Sequence, residues 1–300
     1  MEYVFLFSGQ GSQFKGMAED ICTQYPAART VIDKMSGISG EDIASFLWHT
    51  ESEELARSDR SQLAITAMQI AITTVLQEHG ITPAAAAGFS LGEFSALYAA
   101  KVLDLTTMTK LVTLRGKIMQ KYCEKLDAQS KATGAGCGMA AVLKLPPEKV
   151  VEVLKPYADP DTGVAFAANL NSPMQTVVSG TAEGLDIAEK LCKEAGAKRF
   201  IRLAVAGPFH SPLMRGAAEE FSAALQDVPF NDPAIPIFSN VTGKRLLTGA
   251  EAKKNAVLHL THPVHWLEEE REIAAPANAA ALLEIGPGMT LCNLWRDSGC

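Results

Sequence analysis

The segment Gly88-Phe89-Ser90-Leu91-Gly92 constrains this chain more than any other. In a Gly-x-Ser-x-Gly stretch set between a strand and a helix, the two glycines let the backbone turn sharply and push the serine hydroxyl out at the end of a sheet. A chain that uses the motif this way needs a strand before residue 88, a helix after residue 92 and a base within reach of Ser90. The five-residue pattern alone is short enough to arise by chance, so the flanking segments must supply that context.

Pro83 leads into Ala84 to Gly88, which the elbow requires to be a strand although four alanines favour helix locally. The run from Leu91 to Lys101 is helix-compatible, and Glu93 in its first turn suits the positive end of the helix dipole. Upstream, Ile65, Met68, Ile72, Val75 and Leu76 recur at helical spacing from about Gln62 to His79, with Gly80 placed to end the helix. Leu63 and Ile70 fall on the opposite side, so more than one face is expected to be buried. Tyr3 to Phe7 reads as a buried strand ending in the turn-rich loop Ser8-Gly9-Gln10-Gly11-Ser12-Gln13. That loop has three readings: a phosphate cradle, a source of amide donors for a neighbouring site, or a tight turn. A P-loop would need lysine after Gly16, where Met17 stands.

Three hundred residues fit one large domain carrying an insertion, or two domains. A 47% hydrophobic and 20% charged composition is that of a soluble globular protein. The net charge of −7 argues against a general polyanion partner, so nucleic acid is not expected. The start, Met1 to Phe7, carries Glu2 and too short an apolar run for a signal peptide or membrane span, which predicts a cytoplasmic protein with no membrane contact. Cys22, Cys123, Cys137, Cys192, Cys292 and Cys300 form no Cys-x-x-Cys pair and read as reduced thiols.

Met108, Leu111, Val112, Ile118, Met119 and Tyr122 form one apolar helical stripe, and Arg115 falls on it. A guanidinium on a buried face needs acceptors for five donors. An internal carboxylate and a bidentately held substrate carboxylate fit equally well. Residues 129 to 138 are small and turn-prone, which marks a linker. Beyond it, Met139 to Leu203 reads βαββαβ, the ferredoxin-like split unit, with Asn169-Leu170-Asn171-Ser172-Pro173 turning between its central strands. His210 lies between Pro208 and Pro212 on a loop, where a base for Ser90 is reasonably sought. His259, His262 and His265 are spaced by three, but Pro263 breaks the helix that would align them and no acidic or cysteine ligand accompanies them, so no metal is expected. Leu282 to Ile285 reads as a last short strand.

Taken in order, Gly9-Gln10-Gly11-Ser12-Gln13, the elbow Gly88 to Glu93, Leu114-Arg115-Gly116, Asn171-Ser172-Pro173, Phe209-His210-Ser211, Pro263-Val264-His265-Trp266 and Glu284 to Gly288 resemble the malonyl-CoA:acyl-carrier-protein transacylases over nearly the whole chain. The resemblance implies an α/β fold: a hydrolase-like large domain with a mostly parallel sheet (1–128 and 205–300), interrupted by a smaller ferredoxin-like α+β domain (129–204). It implies that Ser90 attacks the malonyl thioester and that His210 is base and then acid. Backbone amides of Gln10 and Leu91 would hold the oxyanion, and Arg115 would bind the malonyl carboxylate. Gln62, Asn171, Phe209 and Phe89 would line the substrate pocket, with Asn169 nearby, and the backbone carbonyl of His265 would orient His210. Malonyl-CoA and acyl carrier protein are the implied substrate and partner, with no bound cofactor, in a monomer serving fatty-acid or polyketide synthesis.

Two positions depart from the family pattern. His265 stands where relatives often carry glutamine, and Phe89 where they usually carry histidine, which bears on acyl selectivity. The competing expectations are a serine hydrolase or thioesterase acting on carrier-protein thioesters, and a non-catalytic module that docks the carrier. Arg115 discriminates between the first and a malonyl transferase, because a general esterase has no use for a buried cation.

Overall fold

The computed structural model describes residues 2–133, 136–205, 207–274 and 281–300. Strand β1 (Tyr3–Phe7) is central: β2 (Pro83–Gly88) and β9 (Ala281–Ile285) pair with it in parallel on either side, in the order β2-β1-β9. Both faces of β1 are covered, with Phe5 and Phe7 packing into one apolar cluster and Val4 and Leu6 into another. That double burial explains why the strand reads as an unbroken apolar run. The alanines of β2 are strand after all. Ala86 and Ala87 are fully buried, so small side chains let the layers on each side approach, and sheet pairing overrides local propensity.

Four helices, α1 (Glu19–Gln24), α2 (Pro26–Ser39), α3 (Ile43–Trp48) and α4 (Ser52–Leu55), precede the long α5 (Ser58–Glu78). The α5 face carrying Leu63 and Ile70 is fully buried, whereas Met68, Ile72 and Leu76 are half-buried, so this helix runs through the core. Gln69, buried on α5, donates to the carbonyls of Ser8 and Ile285 and accepts from Ser95, tying together the ends of two strands and a helix. After β2 come α6 (Gly92–Ala99) and α7 (Leu105–Thr133). The linker expected from residue 129 is helical through Thr133, because glycine, the residue that disfavours helix, first appears at 134. Residues 134 and 135 of that stretch lie outside the described residues.

Strands β3 (Cys137–Leu143), β4 (Ala165–Ser172), β5 (Gln175–Thr181) and β6 (Arg199–Arg202) form a second, antiparallel sheet in the order β4-β5-β3-β6. Helices α8 (Pro147–Leu154) and α9 (Ala182–Glu194) close its own core, in which Val142, Val150, Leu154, Val178, Leu185 and Cys192 meet. Then follow α10 (Arg215–Leu225), β7 (Phe238–Ser239), β8 (Lys244–Arg245), α11 (Gly249–Leu258), α12 (Trp266–Ala274) and, after β9, α13 (Thr290–Ser298). The second sheet is tied to the segment before α12, where Leu170 N donates to Val264 O and Val264 N donates to Ala168 O. Among the described residues, no helix is long and apolar enough to cross a membrane.

Candidate active site

Strand β2 ends at Gly88, and the chain turns at once into α6. Phe89 N donates to Phe7 O at 2.9 Å and Gly92 N donates to Phe89 O at 2.9 Å, so the turn is pinned to β1. The glycines are required by contact. A Cβ on Gly88 would lie 2.0 Å from the carbonyl carbon of Gly92, and one on Gly92 would lie 2.0 Å from Phe7 O. The left-handed conformation falls instead on Ser90, with φ 52°. Such backbone costs a non-glycine residue about 1–3 kcal/mol and persists only where the surroundings enforce it.

Ser90 Oγ lies 2.8 Å from His210 Nε2. His210 Nδ1 donates to His259 O at 2.8 Å, which leaves the Nε2 lone pair free to accept the serine proton. The orienting carbonyl is therefore that of His259, not His265. His259 is the C-terminal cap of α11, where helix carbonyls lack intrahelical partners and are free to accept from an imidazole. His265 has a different part: its amide donates to Asn240 O at 2.8 Å, and its ring faces a separate cavity. Burial, then the nearby Arg115 charge, push the His210 pKa down to about 4 against the opposing pull of the His259 and His262 carbonyls. At neutral pH the imidazole is thus in its basic form.

Ser90 and His210 open into a cavity of about 290 Å³ between the two sheets. Gln10, Leu91, Phe89, Arg115, Asn171 and Phe209 line it, as does Asn169. Asn171 Oδ1 is buried there without a protein partner. The amides of Gln10 and Leu91 do not donate in any loop or cap hydrogen bond among the described residues. Phe89 sets its ring edge-on against Trp266 at 5.5 Å. Gln62 does not line the cavity. It is fully buried behind Arg115, whose Nη1 donates to Gln62 Oε1 at 2.7 Å. A larger, mostly apolar cavity of about 930 Å³ lies on the far side of His210, but Ser90 does not reach it.

Arg115 is 1% exposed, sits over the Phe94 ring at 5.3 Å and forms no ion pair with a carboxylate among the described residues. Its Nε has no partner. Burial lowers its pKa to about 10, so it stays charged at neutral pH. Glu93 is the acid whose charge it feels, yet burial raises that carboxyl to about 8 and holds it neutral at pH 7. The three spaced histidines do not converge: His259 contacts Asn240, and His262 Nδ1 contacts Leu258 O. Among the described residues, no cluster of three or more His, Cys, Asp or Glu side chains is placed to hold a metal ion.

Residues 4–298 match the acyl transferase domain family. The chain is 38% identical over 291 residues to the malonyl CoA-acyl carrier protein transacylase of Bacillus subtilis strain 168, covering 97% of this chain and 88% of that one. The corresponding Escherichia coli K12 protein is 35% identical over 296 residues, with 98% and 92% covered. This chain belongs to the malonyl-CoA:acyl-carrier-protein transacylase family. Among solved structures, the acyl carrier protein S-malonyltransferase of Vibrio cholerae superposes with a TM-score of 0.89 at 34% identity, over 99% of this chain and 94% of that one. A malonyl-transacylase solved in complex with its type II polyketide-synthase acyl carrier protein gives 0.90 at 34% identity, over 99% and 93%.

Two residues of this transacylase site escaped the sequence reading. His259 stood out only as a metal candidate, and nothing in its spacing indicates that its carbonyl faces an imidazole 49 positions away. Asn240, in Ser239-Asn240-Val241-Thr242-Gly243, resembles any turn asparagine, yet it is fully buried and its Oδ1 accepts from Ser90 N at 2.6 Å. Glu93, expected to complement the dipole in the first turn of α6, is buried as well, and its Oε2 accepts from Asn240 N at 2.8 Å.

Proposed function

We propose that this transacylase moves a malonyl group from malonyl-CoA to the phosphopantetheine thiol of acyl carrier protein through a malonyl-serine ester. His210 Nε2 takes the proton as Ser90 Oγ attacks the thioester carbonyl, and returns it to the departing CoA thiolate. In the second half-reaction the carrier thiol gives its proton to His210, attacks the ester and releases Ser90 as the hydroxyl. The amides of Gln10 and Leu91 stabilise the oxyanion in both steps; their position at the cavity wall beside Ser90 supports this. The chemistry needs no bound cofactor, since a hydroxyl, an imidazole and two amides supply every role.

The observation that carries the malonyl reading is Arg115: a buried cation on the wall of the Ser90 cavity with no carboxylate of its own. A substrate carboxylate would supply the missing charge. Asn171 and Phe209 border the same space and complete the acyl pocket, while Gln62 holds Arg115 in position from behind. A thioesterase would share the serine and histidine but gains nothing from this guanidinium.

We further read residues 137 to 202 as a ferredoxin-like insertion, which the order β4-β5-β3-β6 and the two covering helices support. The remainder would be a hydrolase-like unit, with the first boundary moved from 128 to the end of α7. Intact-protein and peptide mass spectrometry after brief incubation with malonyl-CoA test the function. A malonyl adduct on Ser90 that carrier protein discharges is expected. A folded protein that forms no adduct overturns the proposal, and discharge to water without carrier makes the protein a thioesterase.

A further inference from the structure

Asn240 touches neither substrate space nor the reacting oxygen, yet four groups of the site meet its side chain. Its Oδ1 faces Ser90 N at 2.6 Å and His259 Nε2 at 2.9 Å, and its Nδ2 faces Gly88 O at 2.7 Å and Glu269 Oε1 at 2.7 Å. The backbone partners fix which end is which. An amide N–H at Ser90 can only donate and a carbonyl at Gly88 can only accept, so the oxygen of Asn240 must face Ser90 and its NH2 group must face Gly88. It follows that His259 Nε2, meeting the same oxygen, carries a proton. Its Nδ1 then presents a lone pair, and the group opposite is Arg115 Nη2 at 3.5 Å, which can only donate. A proton on Nδ1 would face that cation directly. Donation therefore runs from the guanidinium through His259 to Asn240 Oδ1 and on from Asn240 Nδ2 to Gly88 O, while Ser90 N donates into the same Oδ1.

We propose that Asn240 is the positioning residue of this site, clamping the left-handed turn at Ser90 through Gly88 O and Ser90 N and locking His259 as its Nε2–H tautomer. The clamp grips Gly88 O before the turn and Ser90 N within it. Holding His259 matters twice, because the same residue presents its carbonyl to His210 Nδ1 and its ring to Arg115. A single side-chain amide thus keeps nucleophile, base and cation in one register. It also occupies the Ser90 amide, which leaves the oxyanion to Gln10 and Leu91.

The inference rests on Ser90 and His210 acting as nucleophile and base, but its deciding readouts need no malonyl group. In the full chain labelled with 15N-histidine, long-range proton–nitrogen spectra at pH 7 are expected to show His259 as the Nε2–H tautomer and His210 as Nδ1–H. His259 found as Nδ1–H in the wild-type protein overturns the proposal without any variant. In Asn240→Ala the His259 tautomer is expected to become mixed. Labelling of Ser90 by a fluorophosphonate probe is expected to slow about tenfold or more, the scale of a small misplacement of a reacting group. Asn240→Asp keeps an acceptor for Ser90 N and His259 Nε2 but replaces the donor that faces Gly88 O and Glu269 Oε1, so it is expected to keep the single His259 tautomer while labelling stays slower than in the wild type. If Asn240→Ala fails to fold, the wild-type tautomer and the Asn240→Asp tautomer decide. A folded Asn240→Ala with unchanged tautomer and labelling rate, or a folded Asn240→Asp with a mixed His259 tautomer, overturns the positioning role.

Discussion

Ser90 Oγ and His210 Nε2 stand 2.8 Å apart, and both residues hold left-handed backbone, with φ 52° and 56°. Neither is glycine, so the pair exists at a local cost that the surrounding hydrogen bonds sustain. That relationship makes the site's strain measurable.

Replacing the nucleophile should separate strain from chemistry. Ser90→Ala and Ser90→Gly are both expected to lose the malonyl adduct. Ser90→Gly should be the more stable of the two by about 1 kcal/mol, because glycine accepts a positive φ without a Cβ clash. Urea unfolding of the two variants reads the difference, and equal midpoints would show that the turn is unstrained.

The glycines on either side of the nucleophile should tolerate nothing larger. Gly88→Ala or Gly92→Ala places a Cβ 2.0 Å from fixed backbone, so each is expected to destabilise the protein by more than about 3 kcal/mol or prevent folding. Soluble yield and melting temperature check this.

Removing the buried cation should change selectivity as well as rate. Arg115→Ala is expected to lower malonyl transfer about 10- to 100-fold relative to acetyl transfer, the value of one charge-assisted contact with a carboxylate. Parallel assays with malonyl-CoA and acetyl-CoA measure the ratio. Equal losses would assign Arg115 to packing alone.

Two buried groups make stability depend on pH in opposite directions. The folded His210 resists protonation down to about 4, whereas the unfolded imidazole takes a proton near 6.5. Its contribution is therefore whole above pH 6.5 and fades as pH falls toward 4, by on the order of 3 kcal/mol. His259, also held neutral by burial, acts with the same sign. Adduct formation should likewise keep its basic form well below pH 6.5, with the acid limb near 4. Unfolding free energies of wild type and His210→Gln at pH 5 and 7 test the first point, since the variant should lose part of the slope.

Glu93 works the other way. Its folded carboxyl keeps a proton up to about 8 while the unfolded one releases it near 4.5, so the contribution is whole below pH 4.5 and is lost as pH rises to 8. Glu93→Gln, which keeps an acceptor for Asn240 N, is expected to fold and to hold its stability better than wild type between pH 6 and 8. A steeper decline in the variant would mean that Glu93 is ionised and pairs with Arg115.

The sequence by itself determined what local pattern and residue chemistry can determine. Tyr3 to Phe7 reads as strand because an apolar run bounded by a glycine loop has few other uses, and β1 has those bounds. The elbow with Ser90 at its tip, the histidine on its proline-flanked loop and the arginine on an apolar stripe were legible because each breaks the rule its neighbours follow, and the fold brings the three around one cavity. The tertiary structure decided the alanine strand, where sheet pairing outweighs helix propensity, and the course of α7 through Thr133. It also decided which carbonyl orients His210: the orphan carbonyl at the end of α11 belongs to His259, and no residue pattern records where a helix end points. Asn240 lay beyond reading for the same reason, because its four partners lie 19, 29, 150 and 152 positions away and meet only in the fold. Periodicity reports which face of an element is buried; it carries no information about which polar atoms meet there.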